Sequence, residues 1–309
     1  MDRYVVIGTS QATLECINAL IDSKENLVGV ISLPKKLLPN NSLDLSFCKN
    51  QHNVSYYEIG DLNSAEGVKV LRELNPHYII STWPKIISEE IISIPKMMIG
   101  THPTPLPFNK GRHPLHWMIV LGITKSVVTF FEMDVGIDSG KILLQIPFDI
   151  GTNSIHEAAL KMNKAMYDGL KELINILNRM PNFTGSIQPK NEGNYWRKRT
   201  EDDVTIDPRM SSSMIKRIVR SFSPPYPGAN LYIRKGEVLK IESATEIDEA
   251  DLPVNWRNFE HGQIISIGDR FLKMKVDQGI VQLHFSNIDR YELAGIRRIH
   301  PPSYYLRNK

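Results

Sequence analysis

The chain of 309 residues is poor in cysteine, with only Cys16 and Cys48. Neither belongs to a Cys-x-x-Cys pair, which argues against a disulfide framework and a structural zinc site. Two thiols so placed fit a reducing compartment. Charge of one sign is lacking too. Lys and Arg number 37 against 34 Asp and Glu, a net +3, too small an excess to forecast a nucleic-acid partner. No apolar run approaches the roughly 20 residues that span a bilayer. The opening MDRYVVIGTS has no basic segment leading into a long apolar core. The expectation is a cytoplasmic protein with no membrane partner. The dinucleotide fingerprint is absent as well: Gly8 is the only glycine in the turn after the first apolar run, which disfavours a nicotinamide cofactor.

What is present alternates. Short apolar runs at Tyr4–Gly8, Leu27–Ser32, Val54–Ile59, His77–Ser81 and Met97–His102 read as strands. A helical stretch near Ser64–Leu74 lies between them, and an apolar stripe of Leu14, Ile17, Leu20 and Ile21 marks a first helix. This order predicts an α/β domain, a Rossmann-like and mostly parallel sheet with helices on both faces. Ser126–Met133 and Lys141–Ile150 read as further strands, and Ser154–Leu177 as a long helix. Turn-forming residues then dominate. Boundaries follow at 1–185 for the α/β domain, 186–208 for a linker and 209–309 for a C-terminal domain. In the last, a helix near Ser212–Val219 precedes short strands at Asn230–Ile233, Glu237–Glu242, Gly262–Ile267, Phe271–Val276 and Ile280–Phe285, the spacing of a small β-barrel or β-sandwich.

Three segments carry candidate chemistry. The turn Gly8-Thr9-Ser10 precedes a helix, so it can meet a phosphate or simply cap that helix. At His102 a strand enters THPTPLPFNKGRHPLHW, where four prolines block regular structure. Loops at the carboxyl ends of parallel strands are where α/β proteins place ligands. A histidine there suits proton transfer or carbonyl polarisation; taken alone, it serves equally as a structural loop residue. In DVGIDSG, Asp134 and Asp138 alternate with Gly136 and Gly140. This lacks the terminal glutamate of a calcium loop, and no metal is expected.

Together the His-Pro loop and Met-Asp-x-Gly-x-Asp-x-Gly resemble the folate-dependent formyltransferases, over most of the chain. LPFNKG stands where that family has Leu-Pro-x-x-Arg-Gly. Ser81–Lys96 resembles its folate-lining segment. NYWRKRTEDDVTID and SFSPPYPGAN resemble its interdomain junction and the start of an OB-like barrel. The resemblance implies formyl transfer from 10-formyltetrahydrofolate to an amine, with His102 and Asp138 catalytic. It places folate against Trp83, Lys85, Ile86, Ile87, Met133, Asp134 and Asp138. The family's asparagine, two residues before the histidine, is Gly100 here. His113 is the candidate substitute donor. It precedes Pro114, which restrains its backbone toward extended conformations. The segment Ser32–Gln51 has Lys35 and Lys36 but no arginine or glycine, unlike the basic, glycine-rich loop of the tRNA-specific members. The junction and PPYPGA look more like the sugar N-formyltransferases. The expected acceptor is therefore a nucleotide-linked amino sugar, with Gly8, Thr9, Ser10, Lys110, Arg199 and Tyr226 as candidate contacts and a homodimer as the expected assembly. Methionyl-tRNA is the alternative acceptor, and a non-catalytic folate- or nucleotide-binding module the alternative of another class.

Overall fold

Consecutive apolar residues in short runs are what strands covered on both faces require, because successive side chains point to opposite faces. The computed structural model describes residues 1–39, 42–51, 54–152, 154–286 and 293–306. Its chain order begins β1 (Arg3–Ile7), α1 (Gln11–Asp22), β2 (Asn26–Ser32), α2 (Cys48–Gln51), β3 (Ser55–Glu58), α3 (Ala65–Leu74), β4 (Tyr78–Ser81), α4 (Glu89–Ile92) and β5 (Met97–His102). These five strands are parallel, in the order β3-β2-β1-β4-β5. Tyr4, Val5, Val6 and Ile7 are all fully buried, so β1 is covered on both faces. The order reverses direction at β1, a switch point that opens a crevice beyond the carboxyl ends of β1 and β4.

The chain continues through the two-residue β6 (Lys110–Gly111), α5 (Pro114–Leu121), β7 (Lys125–Glu132), β8 (Ile142–Asp149), α6 (Ile155–Arg179) and the two-residue β9 (Tyr195–Trp196). β7 and β8 add antiparallel strands to the sheet beyond β5. β6 and β9 pair with each other in parallel. In α1 the buried residues are Thr13, Cys16, Ile17, Ala19 and Leu20, a stripe rotated from the one the large apolar residues trace. Small side chains, Thr13 and Ala19 among them, form the side of the helix that packs inward.

The chain forms two compact units, one of residues 1–114, 125–149 and 160–196, the other of 115–124, 150–159 and 197–309. These differ from the boundaries expected at 185 and 209. Within the second unit, Trp117 Nε1 donates to the Arg197 carbonyl at 2.8 Å and His116 Nδ1 lies 2.7 Å from the Ser221 carbonyl, which ties α5 to sequence 80 or more positions later. The stretch 186–208 is divided rather than free. Ser186 exchanges two 2.8 Å backbone bonds with Ile142, and β9 completes a strand pair in the first unit. Val204 and Ile206 enter the core of the second.

That second unit carries α7 (Ser212–Ser221), β10 (Ala229–Arg234), β11 (Glu237–Glu246), β12 (Ile264–Ile267), β13 (Phe271–Lys275), β14 (Ile280–Phe285) and α8 (Pro302–Leu306). Its five strands form one antiparallel sheet in the order β10-β11-β14-β13-β12, bent as a half-barrel. Register shifts at Tyr232/Arg234, Ile241/Ser243 and Ile264/Ser266 supply the bend. Ile215, Ile218 and Val219 of α7, spaced as one helical face, join the same core. Among the described residues no helix is long and apolar enough to cross a membrane.

Candidate active site

His102 ends β5 because Pro103 cannot continue the ladder. Its side chain is almost wholly buried. Nε2 lies 2.8 Å from the Asn109 carbonyl oxygen. A carbonyl only accepts, so the network assigns the ring proton to Nε2. Nδ1 then faces the Asp138 carboxylate, 3.6 Å from Oδ2. The proline-rich loop is stitched beneath the ring: Thr104 Oγ1 donates to the Phe108 carbonyl at 2.9 Å and the Asn109 carbonyl at 3.3 Å. Thr129 Oγ1 donates to the Thr104 carbonyl at 2.6 Å.

Asp138 reaches this place by a detour. The loop 133–141 leaves β7 at Glu132, which is level with Ile99, whereas His102 is level with Thr129. The loop must therefore return along β5 by three residues, about 10 Å at the rise of a strand. Three groups hold it. The Gly111 N–H donates to Asp138 Oδ2 at 2.9 Å. Gln188 Nε2 donates to the carbonyls of Asp138, at 3.0 Å, and Gly140, at 2.7 Å. Asp134 Oδ1 accepts from the Gly136 N–H at 3.0 Å and the Ser139 hydroxyl at 2.6 Å. Asp134 is thus committed to its own loop.

β6 serves both members of the pair. The N–H groups of Lys110 and Arg112 donate to the Asn194 and Trp196 carbonyls of the neighbouring strand, each at 3.0 Å. The opposite edge of β6 offers the Asn109 carbonyl to His102 and the Gly111 N–H to Asp138. Gly111 has φ +102°, and a Cβ there would lie 2.4 Å from the Trp196 carbonyl oxygen, so glycine is required by conformation and by space. Lys110 between them is 7% exposed. Its ammonium sits 5.8 Å from the Tyr195 ring centroid, with no carboxylate at ion-pair distance among the described residues.

Gly100 faces a filled space. It is level with Phe131, and a Cβ on it would lie 2.6 Å from Phe131 Cζ and 2.9 Å from Met133 Cγ. An asparagine there would force both side chains to shift. His113 is half-buried in the turn between β6 and α5, with φ +54°. The extended backbone expected of a residue before proline is corrected to a left-handed one. The chain must turn out of β6 directly into a helix whose first residue is Pro114.

Of the residues expected at folate, Ile87 is buried, and Trp83 and Met133 pack against one cluster with it, Ile79 and Met98. Lys85 Nζ donates to the Gly60 carbonyl at 2.8 Å. Ile86 is exposed, as are Phe108, Val135 and Ile137. The loops after β4, β5 and β7 thus present apolar side chains, which suits an aromatic ligand. Gly8, Thr9 and Ser10 are occupied internally. The Ser10 N–H donates to Thr13 Oγ1 at 2.9 Å, the Ser42 hydroxyl to Thr9 Oγ1 at 3.3 Å and the Leu43 N–H to the Thr9 carbonyl at 2.8 Å. Gly8 packs on Thr82 and Thr13. Capping and packing account for all three. Asn40 and Asn41, in the neighbouring segment, lie outside the described residues.

Arg199 and Tyr226 belong to the second unit, Lys110 to the first. Arg199 Nη2 donates to the Asp203 carbonyl at 2.7 Å, its guanidinium lies 4.8 Å from the Trp117 ring centroid, and burial pushes its pKa down. The Tyr226 ring packs edge-on against His116 at 4.7 Å and beside Phe222 at 5.3 Å. Gln188 and Asn194 build the site without any signal in the sequence. They lie in QPKNEGN, a polar run with no periodicity, and only pairing with distant segments marks them. Both cysteines are buried, and burial pushes the Cys16 thiol up to about 12, so it is no nucleophile. Among the described residues no group of three or more His, Cys, Asp or Glu side chains could hold a metal ion.

The sequence model of the family described as "Formyl transferase" matches residues 2–171. The methionyl-tRNA formyltransferase of Alkaliphilus oremlandii is 26% identical over 99% of this chain and 96% of its own length. That of Clostridium tetani is 31% identical over 92% and 91%. Among solved structures, an N-formyltransferase from Helicobacter canadensis, in complex with folinic acid and dTDP-3-aminofucose, superimposes with a TM-score of 0.66 at 16% identity, covering 92% of this chain and 99% of that one. HypX from Aquifex aeolicus, in complex with tetrahydrofolic acid, gives 0.66 at 15% identity over 96% of this chain; the match spans 48% of the length of HypX.

Proposed function

The chain belongs to the formyl transferase family, and from that premise we propose that it moves the formyl group of 10-formyltetrahydrofolate onto the primary amine of an amino-deoxysugar carried on a nucleoside diphosphate. The observation that carries the acceptor class is Lys110. Its stem is buried while its ammonium has no carboxylate at ion-pair distance among the described residues, so a phosphate could pair with it. Along the chain Lys110 lies between Asn109 and Gly111, whose backbone groups hold His102 and Asp138, and its ammonium sits by the Tyr195 ring. The Helicobacter canadensis enzyme, whose fold is matched over nearly its whole length, was solved with dTDP-3-aminofucose, which supports this reading. Methionyl-tRNA is the second reading, favoured by the names of the curated relatives. Against it stands the low basic density of residues 32–51, where Lys35 is already paired with Asp44 at 3.6 Å.

The folate donor supplies an activated formyl carbon; Trp83, Ile87 and Met133, with the exposed Ile86, Val135 and Ile137, would hold its rings. The acceptor amine attacks that carbon and must shed a proton. His102 has its Nε2 proton committed to the Asn109 carbonyl, so Nδ1 is the nitrogen free to take it. Asp138, across from Nδ1, stabilises the charge that results and keeps the ring oriented. The same pair returns the proton to the departing folate nitrogen. With no side-chain donor at Gly100, His113 is the candidate donor to the oxyanion.

The test is incubation with 10-formyltetrahydrofolate and a panel of acceptors that includes dTDP-3-aminofucose and initiator methionyl-tRNA, read by mass spectrometry and by gel shift. Formylation of a nucleotide-linked amino sugar is the expected result. A tRNA shift together with formyl-methionine, and no sugar product, would overturn the acceptor class in favour of the second reading.

A further inference from the structure

Gln188 is nine-tenths buried and lies outside every segment read as functional. Its amide orientation is forced. Both groups at Nε2, the Asp138 and Gly140 carbonyls, can only accept, and the flipped amide would set an oxygen against two oxygens. The other end of the amide, Oε1, is buried with no donor among the described residues. A thioether or aliphatic chain of similar length would fill this place without an unpaired buried acceptor. The amide's gain is therefore local and goes to two carbonyls of the Asp138 loop. Asp138 itself has φ +49°, a left-handed conformation that aspartate tolerates better than most residues but that still costs energy its surroundings must offset. The carbonyl next to that strained φ is the one Gln188 binds.

We propose that Gln188 is a positioning residue for formyl transfer: by holding the Asp138 and Gly140 carbonyls it fixes the strained turn that aims Asp138 Oδ2 at His102. The proposal rests on His102 and Asp138 being the catalytic pair. Gln188 touches neither substrate nor the reacting atoms and acts only through the placement of Asp138. Misplacement of a reacting group by about 1 Å can cost about 100-fold in rate, so the effect should fall on turnover rather than on substrate binding.

The experiment compares wild type with Gln188→Met and Gln188→Glu in the full chain, using 10-formyltetrahydrofolate with dTDP-3-aminofucose and with methionyl-tRNA. Gln188→Met should melt within about 3 °C of wild type, lose roughly 10- to 100-fold in kcat, and keep KM for both substrates within about threefold. In Gln188→Glu the introduced carboxyl faces two carbonyl oxygens in a buried place, which disfavours its ionised form. Protonated, it still donates to one carbonyl. Its kcat relative to wild type should therefore fall as pH rises, a dependence that loss of packing alone would not produce. Turnover in Gln188→Met within about twofold of wild type overturns the proposal, and if that variant fails to fold, a pH-independent ratio for Gln188→Glu does so. His102→Ala and Asp138→Ala run alongside separate the failures. Full activity in those two means that the pair itself is misassigned. If wild type turns over neither acceptor, hydrogen exchange decides: residues 133–141 should exchange faster in Gln188→Met, and unchanged protection overturns the brace.

Discussion

A histidine whose N–H is tied to a backbone carbonyl presents its other nitrogen as the proton acceptor, and that is the role proposed for His102. Replacing it with alanine should remove the proton acceptor, and Asp138→Ala should leave the ring without its facing charge. Each variant is expected to lose at least about 100-fold in turnover with little change in melting temperature, read by steady-state kinetics beside thermal melts. Retained turnover in either would remove its assigned role. At Gly100 the structure reverses what the family pattern suggests. The pattern invites Gly100→Asn as a repair, yet Phe131 Cζ and Met133 Cγ stand 2.6 and 2.9 Å from where a Cβ would go. Overpacking of this sort costs about 1–3 kcal/mol. Gly100→Asn should therefore melt several degrees lower and gain no activity. Combined with Phe131→Ala, the loss should be smaller than the sum of the two single losses, because the two changes meet in one space. A gain in kcat from Gly100→Asn alone would show that the side chains part without cost and that the donor was missing.

At the scale of elements, most of the fold was legible because strands and helices leave a period. Met97–His102 coincides with β5, and the expected Ile280–Phe285 with β14. β6 and β9 were illegible for a physical reason. Two residues have no period, and the pairing of Lys110 with Tyr195 joins segments 85 positions apart. The segments of His102 and Asp138 stand out in the sequence because a proline-rich loop and a glycine-rich loop are unusual; what brings the two side chains to 3.6 Å of each other does not, since Gln188 and Asn194 look like ordinary turn residues. Asn194 is the stronger test of β6. Its Oδ1 accepts from the Asn109 N–H at 3.0 Å and its carbonyl from the Lys110 N–H. Asn194→Ala frees the peptide whose carbonyl neighbour receives the His102 proton, while Asn194→Asp keeps an acceptor in the same place. Turnover is expected to fall by roughly tenfold in the alanine variant and to be largely restored by aspartate. Equal loss in both would show that the β9 backbone, not the Asn194 side chain, sets β6.

At the scale of the whole chain, the two units interleave in sequence, and this changes where the molecule can be cut. The family match ends at residue 171, and composition alone puts a boundary near 185. Both suggest that the catalytic half could stand by itself. The contacts argue otherwise on two counts. Residues 115–124 and 150–159 belong to the unit formed with 197–309. A chain ending at 185 would strip His116 of Ser221 and Trp117 of Arg197, and would leave the largely apolar α5, PLHWMIVL, without the residues it is grouped with. It would also lack Gln188, Asn194 and β9, which together hold the Asp138 loop and β6. The shortened chain is therefore expected to bind a hydrophobic dye, to melt earlier and less cooperatively than the full chain, and to show no formyl transfer. Thermal melts, dye fluorescence and the mass-spectrometric assay check this. A chain ending at 185 that melts as sharply as the full protein, binds no dye and turns over would mean that 115–124 and 150–159 are stable without their sequence-distant partners, and that the brace from 188–196 contributes nothing to the site.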